Sequence, residues 1–204
     1  MKSIKDNSTE QKILEAAEEV FHEKGYDGAR MQEIADKATI NKGLLHYYFK
    51  SKDLLFEAIF KAALRRMISN LNSILLMDNT LEEKIDLMVD AYMNMLSRNS
   101  ALPRFVINEL NKDPDKFISK FLNENMKNAF SIFTEAVQNE VNSGRIKAID
   151  PRQLFMNIIS MIVFPYIGRP MIQVITGTDN KEFYQLMNER RALIKNFVKQ
   201  ALKP

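Results

Sequence analysis

Cysteine and tryptophan are absent from this chain, and histidine occurs only twice. Without cysteine there is no thiolate nucleophile, no disulfide framework and almost no way to assemble a zinc site, so a reducing, cytoplasmic setting is expected. The opening residues Met1-Lys2-Ser3-Ile4-Lys5-Asp6 lack the apolar run of a secretory leader. The most apolar stretch, Ile158 to Ile167, is too short to span a bilayer and contains Pro165, so a soluble protein with no membrane partner is expected. Catalytic groupings are also missing. Glu18-Glu19 and Glu82-Glu83 are adjacent pairs whose side chains diverge on a helix, neither histidine has a metal-ligand partner at helical spacing, and no glycine-rich phosphate loop occurs. The reading is a protein that is not an enzyme and uses no cofactor or metal. At 204 residues and 46% apolar composition, the chain can bury a core unaided.

The formal net charge of +3 decides little, because residues 1–52 carry nine Lys and Arg against nine Asp and Glu. Local charge says more: no acidic residue lies between Asp36 and Asp53, while Lys37, Lys42, Lys50 and Lys52 do. Apolar residues recur at three- and four-residue spacing almost throughout, which predicts an all-α protein. Ser8-Thr9-Glu10-Gln11 reads as a capping box for a first helix ending near Gly25. A second helix is expected over Met31–Ala38, and Asn41 caps a third reaching Phe49. Ser51 caps a long fourth helix through Leu75, a connector between an N-terminal unit, 1–52, and a second domain, 53–204. Thr80-Leu81-Glu82-Glu83 is another capping box, followed by a helix to Leu96 and a shorter one reaching Leu110. Asp113-Pro114 and Asp150-Pro151 each start a helix, the first running to about Gly144. Gly168, Pro170 and Gly177 act as breakers before a last helix over Lys181–Leu202.

Residues Met31 to Lys52 have helix-turn-helix spacing. Ile34 and Ala35 face inward from the first helix of the pair, Ile40 plugs the turn, and Leu45 with Phe49 forms an apolar face on the second. Gly43 and Tyr47 then lie opposite that face, flanked by Leu44 and His46. Lys42 places positive charge at the positive end of a helix dipole, and Gly43 costs up to about 1 kcal/mol relative to alanine in a helix. Both choices make sense where an anion sits before the helix and its backbone approaches bases or phosphates.

Ile13-Leu14-Glu15-Ala16-Ala17, Phe21, Lys24-Gly25-Tyr26, Ile34-Ala35-Asp36-Lys37-Ala38 and above all Lys42-Gly43-Leu44-Leu45-His46-Tyr47-Tyr48-Phe49-Lys50-Ser51-Lys52 resemble the tetracycline-repressor (TetR) family of bacterial regulators. The resemblance covers Gln11 to about Leu55. It implies a helix-turn-helix DNA-binding domain followed by a helical ligand-binding and dimerisation domain, working as a homodimer on double-stranded operator DNA. Repression released by an unidentified small apolar ligand is the expectation; the alternative is a DNA-binding interaction module without a ligand. Carried over by position, Lys42, Gly43, Leu44, His46 and Tyr47 read or approach bases, and Arg30, Tyr48 and Lys52 contact phosphate. Thr39 stands where glycine is usual, Arg30 where threonine is common and His46 where tyrosine is common, so Thr39 strains the turn if its φ must be positive.

Beyond Leu55 the resemblance rests on helix order. It implies a dimer interface from the two last long helices, with Phe155, Ile158, Ile159, Ile162, Phe183, Met187, Ile194, Phe197 and Val198 as candidates for interface or core. Twelve methionines and thirteen phenylalanines suit an adaptable apolar pocket. Its candidates are Met67, Leu71, Met88, Tyr92, Met95, Phe105, Met126, Phe130 and Tyr166.

Overall fold

The structure, a computed structural model, describes residues 4–121 and 124–204. Among them are eleven helices and no strand, in keeping with the apolar periodicity. They form two compact units. One runs up to Arg66 and takes in Leu96–Leu102; the other holds Met67–Met95 and Pro103–Pro204.

The first unit is built from α1 (Ile4–Gly28), α2 (Met31–Lys37), α3 (Lys42–Tyr48) and the opening turns of α4 (Lys52–Leu75). The backbone is already helical at Ile4, so Ser8 lies inside α1 and does not start it. No glycine or proline at positions 4–7 stops the helix growing back past the expected box. Gly25 breaks α1 with φ 70° and ψ 174°, a backbone state open to a residue without Cβ. Ile13, Ala17, Val20, Ile34, Ala35, Leu45, Leu55 and Ile59 are buried in the unit's core. Each large apolar side chain so buried contributes about 1.5 to 3 kcal/mol relative to exposure. Phe21, Tyr26 and Phe56 add a cluster of rings with centroids 5.0 to 5.8 Å apart.

The later helices are α5 (Leu81–Arg98), α6 (Leu102–Lys112), α7 (Pro114–Phe121), α8 (Glu124–Asn142), α9 (Pro151–Ile167), α10 (Arg169–Thr176) and α11 (Asn180–Leu202). The expected caps form. Thr80 and Glu83 exchange bonds at 3.3 and 2.9 Å, Asp113 accepts from Lys116 N–H at 3.0 Å, and Asp150 accepts from Arg152 N–H at 2.8 Å. The single helix expected from Pro114 to Gly144 is two, α7 and α8, on either side of residues 122–123. Gly168 and Pro170 do not leave a loop. Proline is tolerated in the first turn, where its N–H has no partner to lose, and α10 runs on to Gly177, which ends it in the left-handed conformation at φ 68°.

Pro165 does not end α9 either, since the helix continues to Ile167. Arg169 pins the α9–α10 junction to α11: its guanidinium lies 5.0 and 4.8 Å from the Phe183 and Tyr184 ring centroids and donates to Asn180 and to the Tyr184 hydroxyl. Along the flank of α11, Arg191, Lys195 and Lys199 meet Asn94, Asp90 and Asp86 of α5 at 2.7, 2.7 and 2.6 Å. Both partners step by four residues, so an antiparallel pair of helices carries the rungs on facing stripes. Among the described residues no single helix is long and apolar enough to cross a membrane; α9 and α10 are so only as a pair, bent by 76°.

Candidate nucleic-acid interface

Arg30 precedes α2 in extended conformation, and its own backbone N–H donates to the Glu33 carboxylate at 3.4 Å. Glu33 supplies this cap from within the helix, which is how α2 starts without a Ser, Thr or Asp before it. Lys24 hydrogen-bonds the same carboxylate at 2.8 Å and holds it below the usual carboxylate range. The Arg30 side chain is left exposed, with no ion pair among the described residues.

The turn between α2 and α3 is tight. Thr39 N–H donates to Asp36 and Ile40 N–H to Ala35, both at 3.0 Å, and Thr39 has φ 55°. The strain expected of a β-branched residue at this position is therefore present. Asn41 then caps α3, accepting from Leu44 N–H at 2.7 Å. A Cβ on Gly43 would stand 3.3 Å from that accepting oxygen, so glycine protects the cap as well as leaving the helix surface open.

On α3, Leu45 is fully buried and Phe49 nearly so, whereas Tyr47 is 75% exposed and Leu44 36% exposed. Lys42, Gly43 and His46 share the exposed side. The Tyr48 ring is half-buried and meets Tyr47 edge-on at 5.5 Å. The structure thus brings the base-facing candidates together on one accessible surface.

The cations divide differently from the sequence reading. Lys37 is held by Glu19 and Glu23 at 2.8 and 2.9 Å. Lys52, expected on a phosphate, turns inward: its Nζ donates to the carbonyls of Tyr26 at 2.8 Å, Ala29 at 3.2 Å and Asp27 at 3.5 Å, and stands 4.5 Å from the Tyr26 ring centroid. The helix C-terminus there presents carbonyls that no N–H reaches, and an ammonium satisfies several at once. Lys42 and Lys50 are exposed and have no ion-pair partner among the described residues. Lys50 stood in the acid-free run but was not singled out, because its direction depends on the extended conformation of Phe49.

Residues 13–59 match the model for bacterial regulatory proteins of the tetR family, and residues 82–198, over half the chain, match a tetracyclin repressor-like C-terminal domain. The chain belongs to the TetR family. It is accordingly a helix-turn-helix transcriptional regulator. It is 27% identical over 135 residues to the fatty acid metabolism regulator protein of Bacillus subtilis (strain 168), covering 66% of this chain and 69% of that protein. The probable HTH-type transcriptional regulator YttP of the same organism is 24% identical over 191 residues, 89% of each chain. Among solved structures, a TetR/AcrR-family regulator from Thermobifida fusca YX-ER1 superposes with TM-score 0.64 at 18% identity, covering 92% of this chain and 96% of that one. FadR from Bacillus subtilis in complex with stearoyl-CoA gives 0.59 at 22% identity, covering 90% and 96%. These structural likenesses show the TetR-family fold.

All nine pocket candidates lie in the second unit. Tyr166 is committed to the core of α9 and α11, where it packs on Phe183 at 6.2 Å. Phe130 meets Phe155 at 5.4 Å and Phe133 at 6.4 Å. Met67 is buried, and Leu71, Met88, Tyr92, Met95, Phe105 and Met126 are half-buried. Burial alone pushes the Tyr92 hydroxyl up to about 12. Of the interface candidates, Ile158, Ile162, Phe183, Met187, Ile194 and Val198 are buried within the chain, so the core half of that reading applies to them. Ile159 is half-buried, while Phe155 and Phe197 are 37% and 65% exposed. Leu186 and Leu193 share the exposed stripe of α11 with Phe197 and were missed, because Leu and Phe occur on both faces of that helix.

Proposed function

We propose that the protein is an operator-binding repressor that works as a two-fold dimer and is released by a ligand with a long apolar chain. The observation that carries the reading is the α3 surface: Leu45 and Phe49 anchor the helix, and Tyr47, with 75% exposure, stands out on the opposite side. A packed tyrosine would be buried; one displayed beside Lys42, Gly43, Leu44 and His46 is placed to enter a major groove. Arg30, Tyr48 and Lys50 are then the phosphate contacts, the first and last being exposed cations without an ion pair among the described residues.

One seven-residue recognition helix reads few base pairs, so two copies are needed. The exposed stripe Leu186, Leu193 and Phe197 on α11 supplies a self-complementary face for the second copy. The two recognition helices then engage major grooves about 34 to 36 Å apart, or a modestly larger separation.

For the ligand, the Met- and Phe-rich second unit suits an apolar chain, and a relative has been solved with stearoyl-CoA. α4 runs unbroken from Lys52 to Leu75, so a ligand seated near Met67 and Leu71 acts on the helix that also follows α3. The test is linkage. Operator fragments are selected from genomic DNA, and stearoyl-CoA is titrated into the free protein and into the operator complex. Release requires weaker binding to the complex by the same factor as the ligand weakens DNA binding, typically about five- to 150-fold. Equal affinities for both forms would remove this acyl ligand from the mechanism.

A further inference from the structure

We propose that Lys52 and Asp53 together clamp Tyr26, so that Lys52 serves operator binding by positioning α3 and not by touching phosphate. The inference deepens the operator-binding reading and rests on it.

Three observations meet at Tyr26. The Lys52 ammonium donates to the backbone carbonyls of Tyr26, Ala29 and Asp27, which accounts for its three N–H donors. The same ammonium lies over the Tyr26 ring at 4.5 Å. The Tyr26 hydroxyl donates to Asp53, the next residue on α4. The ring itself is wedged between Phe21 and Phe56 at 5.8 and 5.1 Å. One aromatic residue is therefore held through its carbonyl, face, edge and hydroxyl, by two consecutive residues of α4 on its polar side.

The chain order gives the clamp its consequence. Ala29 lies two residues before α2, and Lys52 four residues after the end of α3. The bond from Lys52 to the Ala29 carbonyl closes the segment 29–52 at its two ends, and that segment is α2, the turn and α3. The bond adds a polar tether to the packing of Leu45 and Phe49 that seats α3. A cation whose hydrogens all point to carbonyls has none to offer a phosphate, and withdrawing it would leave the α1 end uncapped.

The experiment compares wild type with K52M, K52R and Y26F. Operator affinity is measured across a series of salt concentrations, and amide hydrogen exchange is followed without DNA. The clamp requires K52M to lose affinity by roughly ten-fold or more, the scale of charge-assisted bonds, with the salt dependence unchanged. It also requires K52R to leave most of the loss in place, because a planar guanidinium cannot converge on three carbonyls as a compact ammonium does. Y26F, which keeps the ring and the carbonyl, should weaken operator binding although it removes no DNA contact. Exchange should rise in K52M at residues 26–29 and 42–48 and stay as in wild type at residues 150–202. A salt slope reduced by roughly 0.9 per protomer in K52M, with K52R restoring affinity, would show a phosphate contact and overturn the proposal. So would unchanged exchange at 42–48. If wild type itself fails to select or bind DNA, the operator reading falls, and the exchange data alone decide the clamp.

Discussion

Arg190 of α11 donates its Nε–H to the carbonyl of Met161 on α9 at 2.9 Å. Met161 is four residues before Pro165, and proline has no N–H to return to it. The arginine thus supplies the donor that the helix lacks at this point, which explains how α9 carries a proline in its last turn. Arg190→Leu should cost about 1 kcal/mol, the low end of the cost of leaving a buried carbonyl unbonded, because this one is only partly buried. Pro165→Ala restores the N–H, so the same Arg190 change should cost less in that background. Urea unfolding of the four proteins gives the coupling directly, and strictly additive losses would break the link between the two residues.

This pair also shows where sequence ends as a guide. Pro165 and Gly168 are breakers by local propensity, and local propensity was overruled by contacts with α11: Arg190 of α11 for the first, and Asn180 and Tyr184 of α11, bonded by Arg169 of α10, for the neighbouring junction. Caps made of near neighbours, such as Thr80 with Glu83 or Asn41 with Leu44, were legible because both partners lie within one turn. So was the display of Tyr47, which follows from helical period alone. The inward bonds of Lys52 were not legible for the opposite reason: its partners are 23 to 26 residues away, at the far end of α1. The α5–α11 ladder went unseen on the same ground, its rungs joining residues about a hundred positions apart.

Thr39 holds φ 55° in the helix-turn-helix turn, and its hydroxyl sits 2.7 Å from the Ala38 carbonyl. An L-residue with a branched Cβ pays about 1 to 2 kcal/mol for this backbone state, and glycine avoids it. Part of that gain is returned as unfolded-state entropy. Thr39→Gly should therefore raise stability by about 0.5 to 1 kcal/mol, seen as a higher melting temperature of the DNA-free protein. A melting temperature lowered by the change would mean that the threonine hydroxyl contributes more than its backbone costs.

Phe183 and Phe197 occupy the same helix with opposite fates, the first fully buried and the second 65% exposed. Phe183→Ala should cost about 3 to 5 kcal/mol through the cavity it leaves among Tyr166 and its neighbours. Phe197→Asp should leave helix content intact while placing like charges across a two-fold axis, so the protein sediments as a monomer. A Phe197→Asp protein that remains dimeric at micromolar concentration would move the dimer face away from this stripe of α11.

Tyr47 and Lys50 offer the sharpest separation of reading from anchoring. Tyr47 projects from α3 with three quarters of its surface free, and Lys50 follows the helix without an ion-pair partner among the described residues. Neither supports the core, so substitution at either should leave stability within about 0.5 kcal/mol of wild type. Their effects on DNA should differ in kind. Tyr47→Ala should cost about 1 to 3 kcal/mol on operator and much less on random duplex, because contacts to base edges exist only on the matching sequence. Lys50→Met should weaken both duplexes alike and lower the salt slope by roughly 0.9 per protomer, since a phosphate contact releases counterions whatever the sequence. Anisotropy titrations of the two variants on the two duplexes, at several salt concentrations, measure all of these quantities together. Equal losses on operator and random DNA for Tyr47→Ala would take this residue out of base reading and leave specificity to Lys42, Leu44 and His46.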